Sequence, residues 1–390
     1  MSKPPLDPVA LSQTLIRCPS ITPVDAGALD VLQTFLESYG FSCRRKVFEE
    51  PDTDPVDNLY ARIGGQGENF CFAGHTDVVP PGDETLWTHP PFAAEIHDEK
   101  LFGRGTTDMK CAVAAFAVAA ARLVEKADDE LPGSISLLIT GDEEGVSING
   151  TRKMLQWLET EGETLSVCLV GEPTNPHALG EMAKIGRRGS MNMHLTVKGT
   201  QGHAAYPHMA DNPIPHMVQQ LSALIDTPLD DGTKHFQPST LTVTTVDVGN
   251  PTSNVIPSEA TASFNIRFND SHTSTSVEKL IRDRLKDRGT DVSYDLTVQV
   301  SGESFLSPPG RLSAAISTAV QQITGKQPEL STTGGTSDAR FIKDYCPVAE
   351  FGMISDTAHK TDEYVLISDI FALTDIYELV VQEFFRPAPP

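Results

Sequence analysis

The segments FCFAGHTDVVPPGD (70–83) and LFGRGTTDMK (101–110) give the strongest indication of the fold. The first begins as a short apolar strand and ends in His75 and Asp77, so two hydrophilic side chains stand where a buried strand leaves its sheet. Open α/β sheets bind their ligands at that edge. In the second segment Asp108 follows a glycine-containing turn and precedes an alanine-rich run that predicts a buried helix. We therefore expect an α/β sheet with His75 and Asp108 on loops above one edge.

Length, composition and charge limit the class of protein. At 390 residues the chain exceeds what one hydrophobic core usually supports, which predicts two domains. No apolar run is long enough to span a bilayer, and the polar, proline-containing start does not resemble a signal sequence, so we expect a soluble, cytoplasmic protein. Six scattered cysteines without a C-x-x-C pair indicate reduced thiols. The net charge of −23 disfavours nucleic acid or an anionic membrane as partner, and an anionic small substrate would need local arginines.

Two further apolar strands are followed directly by acidic residues. The predicted strand 134–140 leads into GDEEG (141–145), and the predicted strand 166–170 leads into GEP (171–173). A late strand is followed by His359. Each motif alone has a simpler explanation, such as an acidic turn or a solvated loop acid. Their common position after apolar strands predicts one shared cleft.

The sequence pattern changes after Gly186, where apolar and polar residues alternate as in half-buried strands. Four strands and two helices are predicted there in the order βαββαβ, at 191–197, 212–225, 239–248, 260–268, 273–288 and 291–300. This order is that of ferredoxin-like domains. We therefore expect a catalytic α/β domain formed by residues 1–185 and 301–390, with an inserted ferredoxin-like domain at 186–300.

Carboxylates that converge in one cleft repel one another and raise one another's pKa unless positive charge lies among them. Two divalent metal ions would supply that charge, because three carboxylates and one hydroxide balance two dications. The candidate carboxylate ligands are Asp108, which is well placed to bridge the ions, Glu144 and Glu172. His75 and His359 add imidazole nitrogen, which favours zinc over magnesium or calcium. The sequence leaves open whether cobalt or manganese replaces zinc at one position.

The adjacent acids Glu143 and Glu144 leave a strand in different directions and cannot easily share one task. We assign Glu144 to the metal and Glu143 to the proton. Glu143 is expected to take a proton from a metal-activated water that attacks a carbonyl, and to deliver it to the leaving nitrogen. Asp77 is expected to accept the second ring N–H of His75, which fixes the tautomer of that ligand. The predicted reaction is amide hydrolysis without a covalent intermediate.

HTD (75–77), GRGTTD (103–108), GDEEG and GEP together resemble the dizinc amidohydrolase and exopeptidase family, which includes aminoacylases and acetylornithine deacetylase. The resemblance implies a zinc-exopeptidase-like α/β domain interrupted by a lid and dimerisation domain, and hence a homodimer. It also implies the roles of the acids and imidazoles. His75 and Glu172 would hold one zinc, Glu144 and His359 the other, with Asp108 bridging and Glu143 as the base.

A narrower resemblance, to family members that remove a succinyl group from a diamino diacid, involves GRRGS (186–190), GTQGHAAYPHMADNP (199–213) and TTGGTSDARF (332–341). It implies that His203 enters the partner subunit's site and polarises the scissile carbonyl. The substrate-binding residues that it implies are Arg187, Asn254, Arg267, Gly335 and Thr336.

The implied substrate has three carboxylates and one ammonium, and Arg187, Arg188 and Arg267 are the cationic forks that such an anion needs. One departure from the family is Ser355, which stands where an asparagine is common and concerns one hydrogen bond to substrate. Two alternatives remain at this point. One is a sister deacylase such as acetylornithine deacetylase. The other is a non-catalytic binding protein, which would have no need of Glu143.

Overall fold

The computed structural model describes residues 3–127, 131–287 and 292–387, which form two compact units. The first unit contains the chain up to Ile185, Ser307–Ser331 and the chain from Ser337 onward. The second contains Gly186–Leu306 and Thr332–Thr336. The expected insertion ended at residue 300, whereas the second unit continues to Leu306 because its last strands include Phe305 and Leu306.

The described residues form helices in both units. In chain order they are α1 (Pro8–Ile16), α2 (Ala28–Ser38), α3 (Cys111–Lys126), α4 (Thr151–Thr160), α5 (Pro213–Ile225), α6 (Ser274–Asp287), α7 (Arg311–Thr324), α8 (Ala339–Ile342) and α9 (Ile367–Phe385). Asp7 and Asn212 are the N-caps of α1 and α5, each followed by a proline in the first turn. Within the described residues, no helix has both the length and the apolar character needed to cross a bilayer.

The strands fall into two main sheets and three small ones. In chain order they are β1 (Ser42–Phe48), β2 (Val56–Gly64), β3 (Asn69–His75), β4 (Ile96–His97), β5 (Lys100–Phe102), β6 (Ser134–Thr140), β7 (Val167–Val170), β8 (Met182–Lys184), β9 (Gly186–Arg187), β10 (Gly189–Lys198), β11 (Gly202–His203), β12 (Thr240–Asp247), β13 (Val255–Ile256), β14 (Glu259–Phe268), β15 (Tyr294–Gly302), β16 (Phe305–Leu306), β17 (Glu329–Ser331), β18 (Val348–Glu350) and β19 (Tyr364–Leu366).

The first unit is built on an eight-stranded mixed sheet of order β1-β2-β6-β3-β7-β18-β8-β17. Its central neighbours β6, β3, β7 and β18 run parallel, so their carboxyl ends meet at one edge. Phe72 of β3 stacks on Phe116 of α3, with ring centroids 4.3 Å apart, and Tyr377 of α9 packs edge-on against both rings. The alanine-rich α3 is almost wholly buried, as its sequence predicted.

The second unit is a four-stranded antiparallel sheet of order β12-β14-β10-β15 with α5 and α6 on one face. Met217 of α5 and Ile281 of α6 share its apolar core with alternate residues of β10 and β14, such as Leu195 and Phe264. Strand order and connectivity are those of a ferredoxin-like βαββαβ fold.

Several predicted boundaries are shifted. Strand β10 begins at Gly189 instead of residue 191, and β15 ends at Gly302 instead of residue 300. The predicted helix end at 288 and strand start at 291 lie outside the described residues. In the eight-stranded sheet, strands β1, β8 and β17 were not predicted; β8 and β17 are three-residue strands whose pairing depends on the rest of the sheet.

Candidate metal centre

Loops from one sheet edge bring the predicted acids and imidazoles of the first unit together. Because β3, β6 and β7 are parallel neighbours, the residues at and after their carboxyl ends meet there, and these are His75, Asp77, Glu143, Glu144 and Glu172. The turn before α3 adds Asp108, and the loop after β18 adds His359. Gly74 and Gly171 make this convergence sterically possible, because a Cβ on either would come within 2.6 Å of the Met109 side chain.

Asp108 lies between the two imidazoles. Its Oδ1 is 3.2 Å from His75 Nε2, and its Oδ2 is 3.3 Å from His359 Nε2. Glu144 Oε1 is 2.8 Å from the same His359 nitrogen, and Glu172 Oε1 is 3.8 Å from His75 Nε2. One carboxylate thus offers a separate oxygen towards each half of the cluster, which is the arrangement of a bridging ligand in a two-metal site.

Asp77 differs from its expected geometry. The Nδ1 atom of His75 lies 2.9 Å from the Asp77 backbone carbonyl and 3.5 Å from its carboxylate, so the carbonyl is the better acceptor. The tautomer of His75 is still fixed, with the proton on Nδ1 and Nε2 facing the cluster. The Asp77 carboxylate instead accepts the backbone N–H groups of Glu143 and Glu144, at 3.3 and 3.0 Å. Asp77 therefore orients the loop that carries both glutamates.

A buried ion pair that the sequence reasoning missed fixes two other loops. Arg104 Nη1 donates to Glu363 Oε2 at 2.6 Å, and the other oxygen of Glu363 accepts the N–H groups of Thr107 and Asp108. Arg104 also donates to the backbone carbonyl of His359, at 3.4 Å. His359 has a φ of +62°, which residues other than glycine seldom adopt, so this support matters. The signal for Arg104 was the GRG motif next to Asp108.

Charge within the cluster shifts the pKa values of its members. Burial, together with repulsion from Asp338 and Asp108, raises the pKa of Glu143 well above its usual range, although His75 opposes this. Burial and the nearby Asp108 and Glu143 raise the pKa of Glu172 in the same way. Hydrogen bonds to Asp108 and Glu144 raise the pKa of His359 to about 10. The cluster is therefore short of positive charge.

The donor set fits a pair of divalent ions. Glu172 Oε1 is buried and has no hydrogen-bond partner among the described residues, which is costly unless a cation satisfies it. Donor atoms of His75, Asp108 and Glu144 lie within 4.8 Å of one another, as do those of His75, Glu143 and Glu172. Imidazole and carboxylate groups are common ligands of divalent transition-metal ions.

The residues expected to bind substrate lie in the second unit, in two groups. Arg267 Nη1 donates to Thr336 Oγ1 at 3.3 Å, and Arg187 Nη1 lies 3.5 Å from the carbonyl oxygen of Thr333. Burial lowers the pKa of Arg267, and the nearby guanidinium groups of Arg188 and Arg187 lower it further. Three guanidinium groups therefore form a cationic cluster, beside which Gly335 leaves open space.

The second group lies on the two-stranded ribbon of β11 and β13. The N–H of Ala204 donates to the carbonyl of Asn254 at 2.9 Å, which places Asn254 beside His203. The Nδ1 atom of His203 accepts the N–H of Ala205 at 3.0 Å. A neutral ring that accepts at Nδ1 must carry its proton on Nε2. His203 is exposed and thus offers an N–H donor to solvent.

Two smaller points complete the site. Ser355 donates two hydrogen bonds to the carbonyl oxygen of Asn175, from its backbone N–H at 2.8 Å and from its Oγ at 3.2 Å.

Asp338 is buried in the first unit, and burial raises its pKa to about 6. Asp338 belongs to the TTGGTSDARF segment, from which the sequence analysis selected Gly335 and Thr336 but not this aspartate.

Comparison with known proteins identifies the family. The sequence profile of peptidase family M20/M25/M40 matches residues 71–383. A relative from Rhodospirillum centenum, named succinyl-diaminopimelate desuccinylase, is 58% identical over 384 residues, covering 98% of this chain and 99% of the relative. Proteins of the same name from Rhodospirillum rubrum (97% of this chain and 99% of the relative) and Parvibaculum lavamentivorans (98% and 96%) are 53% and 54% identical.

Solved structures of low sequence identity have the same fold. An M20 metallo-carboxypeptidase from Sulfolobus solfataricus is 17% identical and has a TM-score of 0.76, covering 97% of this chain and 99% of its own. The aminopeptidase PepT from Bacillus cereus is 19% identical with a TM-score of 0.76, covering 97% and 98%. A dinuclear metal-binding M20 peptidase from Bacillus subtilis is 17% identical with a TM-score of 0.70, covering 96% and 97%. These similarities confirm the predicted fold class, and together with the profile match they show that the chain belongs to peptidase family M20/M25/M40.

Proposed function

We propose that this chain hydrolyses the amide bond of N-succinyl-LL-2,6-diaminopimelate and releases succinate and LL-2,6-diaminopimelate, a precursor of lysine and of cell wall. The main support is the full-length similarity to three proteins named succinyl-diaminopimelate desuccinylase, at 53–58% identity. Low-identity relatives share only the fold, and fold alone does not define a substrate. The same similarity favours this function over that of acetylornithine deacetylase.

The cofactor that we propose is a pair of zinc ions in each chain, with cobalt or manganese able to replace one. His75 and Glu172 would hold the first ion, and Glu144 and His359 would hold the second. Asp108 would bind both ions. Such ions polarise a carbonyl and make water a stronger acid. The rest of the chemistry depends on side chains of the protein.

Glu143 is the proposed general base. It lies next to the ligand Glu144, and its backbone N–H donates to Asp77, so its position depends on the same hydrogen-bonded loop. Its carboxylate accepts a proton from the attacking water and then delivers it to the leaving nitrogen. A raised pKa favours the first step, because a carboxylate of ordinary pKa is a weaker base near neutral pH.

Substrate recognition is proposed to use the second unit. The guanidinium groups of Arg187 and Arg267 would pair with substrate carboxylates, and Asn254, Gly335 and Thr336 would complete the binding surface. His203 would donate its Nε2–H to the scissile carbonyl oxygen in the partner subunit's site, which requires a homodimer. The net charge of −23 disfavours nucleic acid as a partner.

The cytoplasm is the proposed location. All six cysteines are unpaired, and Cys71, Cys111, Cys168 and Cys346 are buried. Reduced thiols of this kind are typical of proteins in a reducing compartment.

A substrate comparison tests the proposed function. Purified full-length protein with known zinc content is assayed with N-succinyl-LL-2,6-diaminopimelate and with N-acetylornithine, and kcat/KM is measured for each. We expect strong preference for the succinyl substrate and complete loss of turnover after chelation, with recovery on adding zinc. Preference for the acetyl substrate would instead identify the sister deacylase, and turnover that survives chelation would contradict a metal centre.

A further inference from the structure

A second group of metal-ligand side chains lies on the first unit and shares no residue with the sites assigned above. It consists of His89, Glu95 and His97. Glu95 Oε2 is 2.8 Å from His89 Nδ1 and 3.2 Å from His97 Nε2, and all three donor atoms lie within 4.8 Å of one another. Neither the proposed reaction nor the family resemblance assigns these residues a role.

A short hairpin holds two of the three donors. His97 belongs to β4, which pairs with β5, and the N–H of Phe102 donates to the Glu95 carbonyl at 2.9 Å. Asp98 and Glu99 form the tight turn, with φ values of +47° and +60°. Glu95 and His97 are two residues apart along an extended backbone, so their side chains leave on the same face.

The third donor is positioned by packing and by a backbone contact. The His89 ring lies 4.2 Å from the Phe102 ring and 4.4 Å from the His97 ring, measured between centroids. The N–H groups of Thr88 and His89 donate to Asp362 Oδ1, at 2.7 and 3.3 Å. The three donors are thus held by separate contacts before any ion binds.

We propose that His89 Nδ1, Glu95 Oε2 and His97 Nε2 form a third, peripheral site for one divalent transition-metal ion. Two imidazoles and one carboxylate are ligands typical of zinc, copper, nickel or iron and not of magnesium or calcium. Tetrahedral zinc, with bonds of about 2.0–2.1 Å, places neighbouring ligand atoms about 3.3 Å apart. The two distances from Glu95 Oε2 to the imidazole nitrogens, 2.8 and 3.2 Å, are close to this value. The His97 side chain is 53% exposed, so water can occupy the fourth position.

A hydrogen-bonded cluster without metal is the simpler alternative. In such a cluster, one imidazole would be enough to satisfy the carboxylate by a hydrogen bond. Here a single oxygen, Glu95 Oε2, faces both imidazole rings. The nearest cation on the hairpin is Lys100, opposite His97, and its ammonium lies 4.0 Å from the centroid of the Tyr364 ring. The net charge of −23 also raises the local concentration of cations.

An ion at this site would tie the loop of His89 to the hairpin, and the same loop is bonded to Asp362. Binding to the folded state alone raises thermal stability by mass action. Zinc added beyond the proposed pair should therefore raise the Tm of the native chain.

Metal stoichiometry tests the proposal. Full-length protein without an affinity tag is stripped with a chelator, dialysed against zinc alone and analysed for zinc per chain. We expect His97→Ala and Glu95→Gln each to hold about one ion fewer than the native chain, with unchanged turnover and a smaller rise in Tm on adding zinc. The matched control is His177→Ala, which removes an exposed imidazole 3.6 Å from a single carboxylate, Asp356.

The expected difference of one ion is the zinc content of the native chain minus that of a variant, so it does not depend on how many ions the proposed main centre holds. Equal zinc content in the native chain and both variants would overturn the proposal. Loss of an ion in His177→Ala as well would do the same, because it would show nonspecific binding to surface histidines.

Discussion

The two units contain clusters of opposite charge. In the first unit carboxylates outnumber imidazoles, and the side chains of His75 and Asp77 are only 1% exposed. In the second unit three guanidinium groups lie together, and His203 and Asn254 are exposed. The first cluster has a shortage of positive charge that metal ions would satisfy, and the second has a surplus that an anionic substrate would satisfy. The proposed function therefore assigns chemistry to the first cluster and recognition of the anionic substrate to the arginine cluster.

The supports of the two clusters differ in the same way. Asp77, Arg104 and Glu363 fix the backbone around the first cluster through hydrogen bonds that connect distant loops. In the second, Arg267 has a hydroxyl partner in Thr336 and the half-buried position of a strand residue. Substitutions around the first cluster should accordingly affect chemistry or stability, and substitutions in the arginine cluster of the second unit should affect substrate affinity.

The largest effect is expected for Glu143→Ala. Loss of a general base should lower kcat about 10²–10⁴-fold, while zinc per chain remains that of the native protein because the proposed ligands are retained. Assay of succinate release together with metal analysis measures both quantities. Glu159→Ala on α4, an exposed acid, is the control and should leave kcat unchanged. Full activity of Glu143→Ala would show that a group other than Glu143 acts as the general base.

The second-largest effect is expected for Arg104→Met, and it concerns the stability of the fold. Arg104 and Glu363 are 3% and 0% exposed, so the substitution leaves a buried carboxylate without its cation and should lower the free energy of unfolding by about 3–5 kcal/mol. Denaturant titration at fixed zinc concentration measures this. Arg122→Met removes a partner of Asp375, which is 53% exposed, and should cost at most about 1 kcal/mol. Equal effects of the two substitutions would mean that the buried pair has no special role.

His203→Ala should lower kcat about 10²–10³-fold without changing metal content, since it removes a proposed donor to the carbonyl oxygen. Mixing equal amounts with Glu143→Ala and allowing subunits to exchange should restore about a quarter of native activity, because half of the dimers are hybrids with one complete site. Activity after mixing, compared with each variant alone, measures the recovery. Without recovery, His203 would have to act within its own subunit.

The smallest effect is expected for Arg267→Ala. Loss of one charged hydrogen bond to substrate, worth about 1.5–3 kcal/mol, should raise KM about 10–100-fold and change kcat little. Steady-state kinetics with the succinyl substrate separates the two parameters. Arg282→Ala on α6, where the guanidinium pairs with Glu278, is the matched control. A fall in kcat at constant KM would place Arg267 in the chemistry instead of in recognition.

Periodicity and strand-end motifs made much of the molecule predictable. Strand β6 has the bounds that its sequence predicted, because it has a strong apolar pattern and ends at the GDEEG motif. Parallel strands share an edge, so the convergence of His75, Asp108 and Glu172 also followed from local pattern. The short strands β8 and β17 were missed, since three residues carry too little periodicity to be recognised.

The sequence by itself determined the classes of residue in the site, the α/β architecture and the inserted βαββαβ unit, because these follow from neighbours along the chain. Only the tertiary structure decided which atoms meet. In the folded chain Arg104 pairs with Glu363, 259 residues away. The Asp77 carboxylate accepts the backbone N–H of Glu143, and His89 lies beside Glu95 and His97. Such contacts depend on how separate elements pack, and no local period in the sequence encodes that packing.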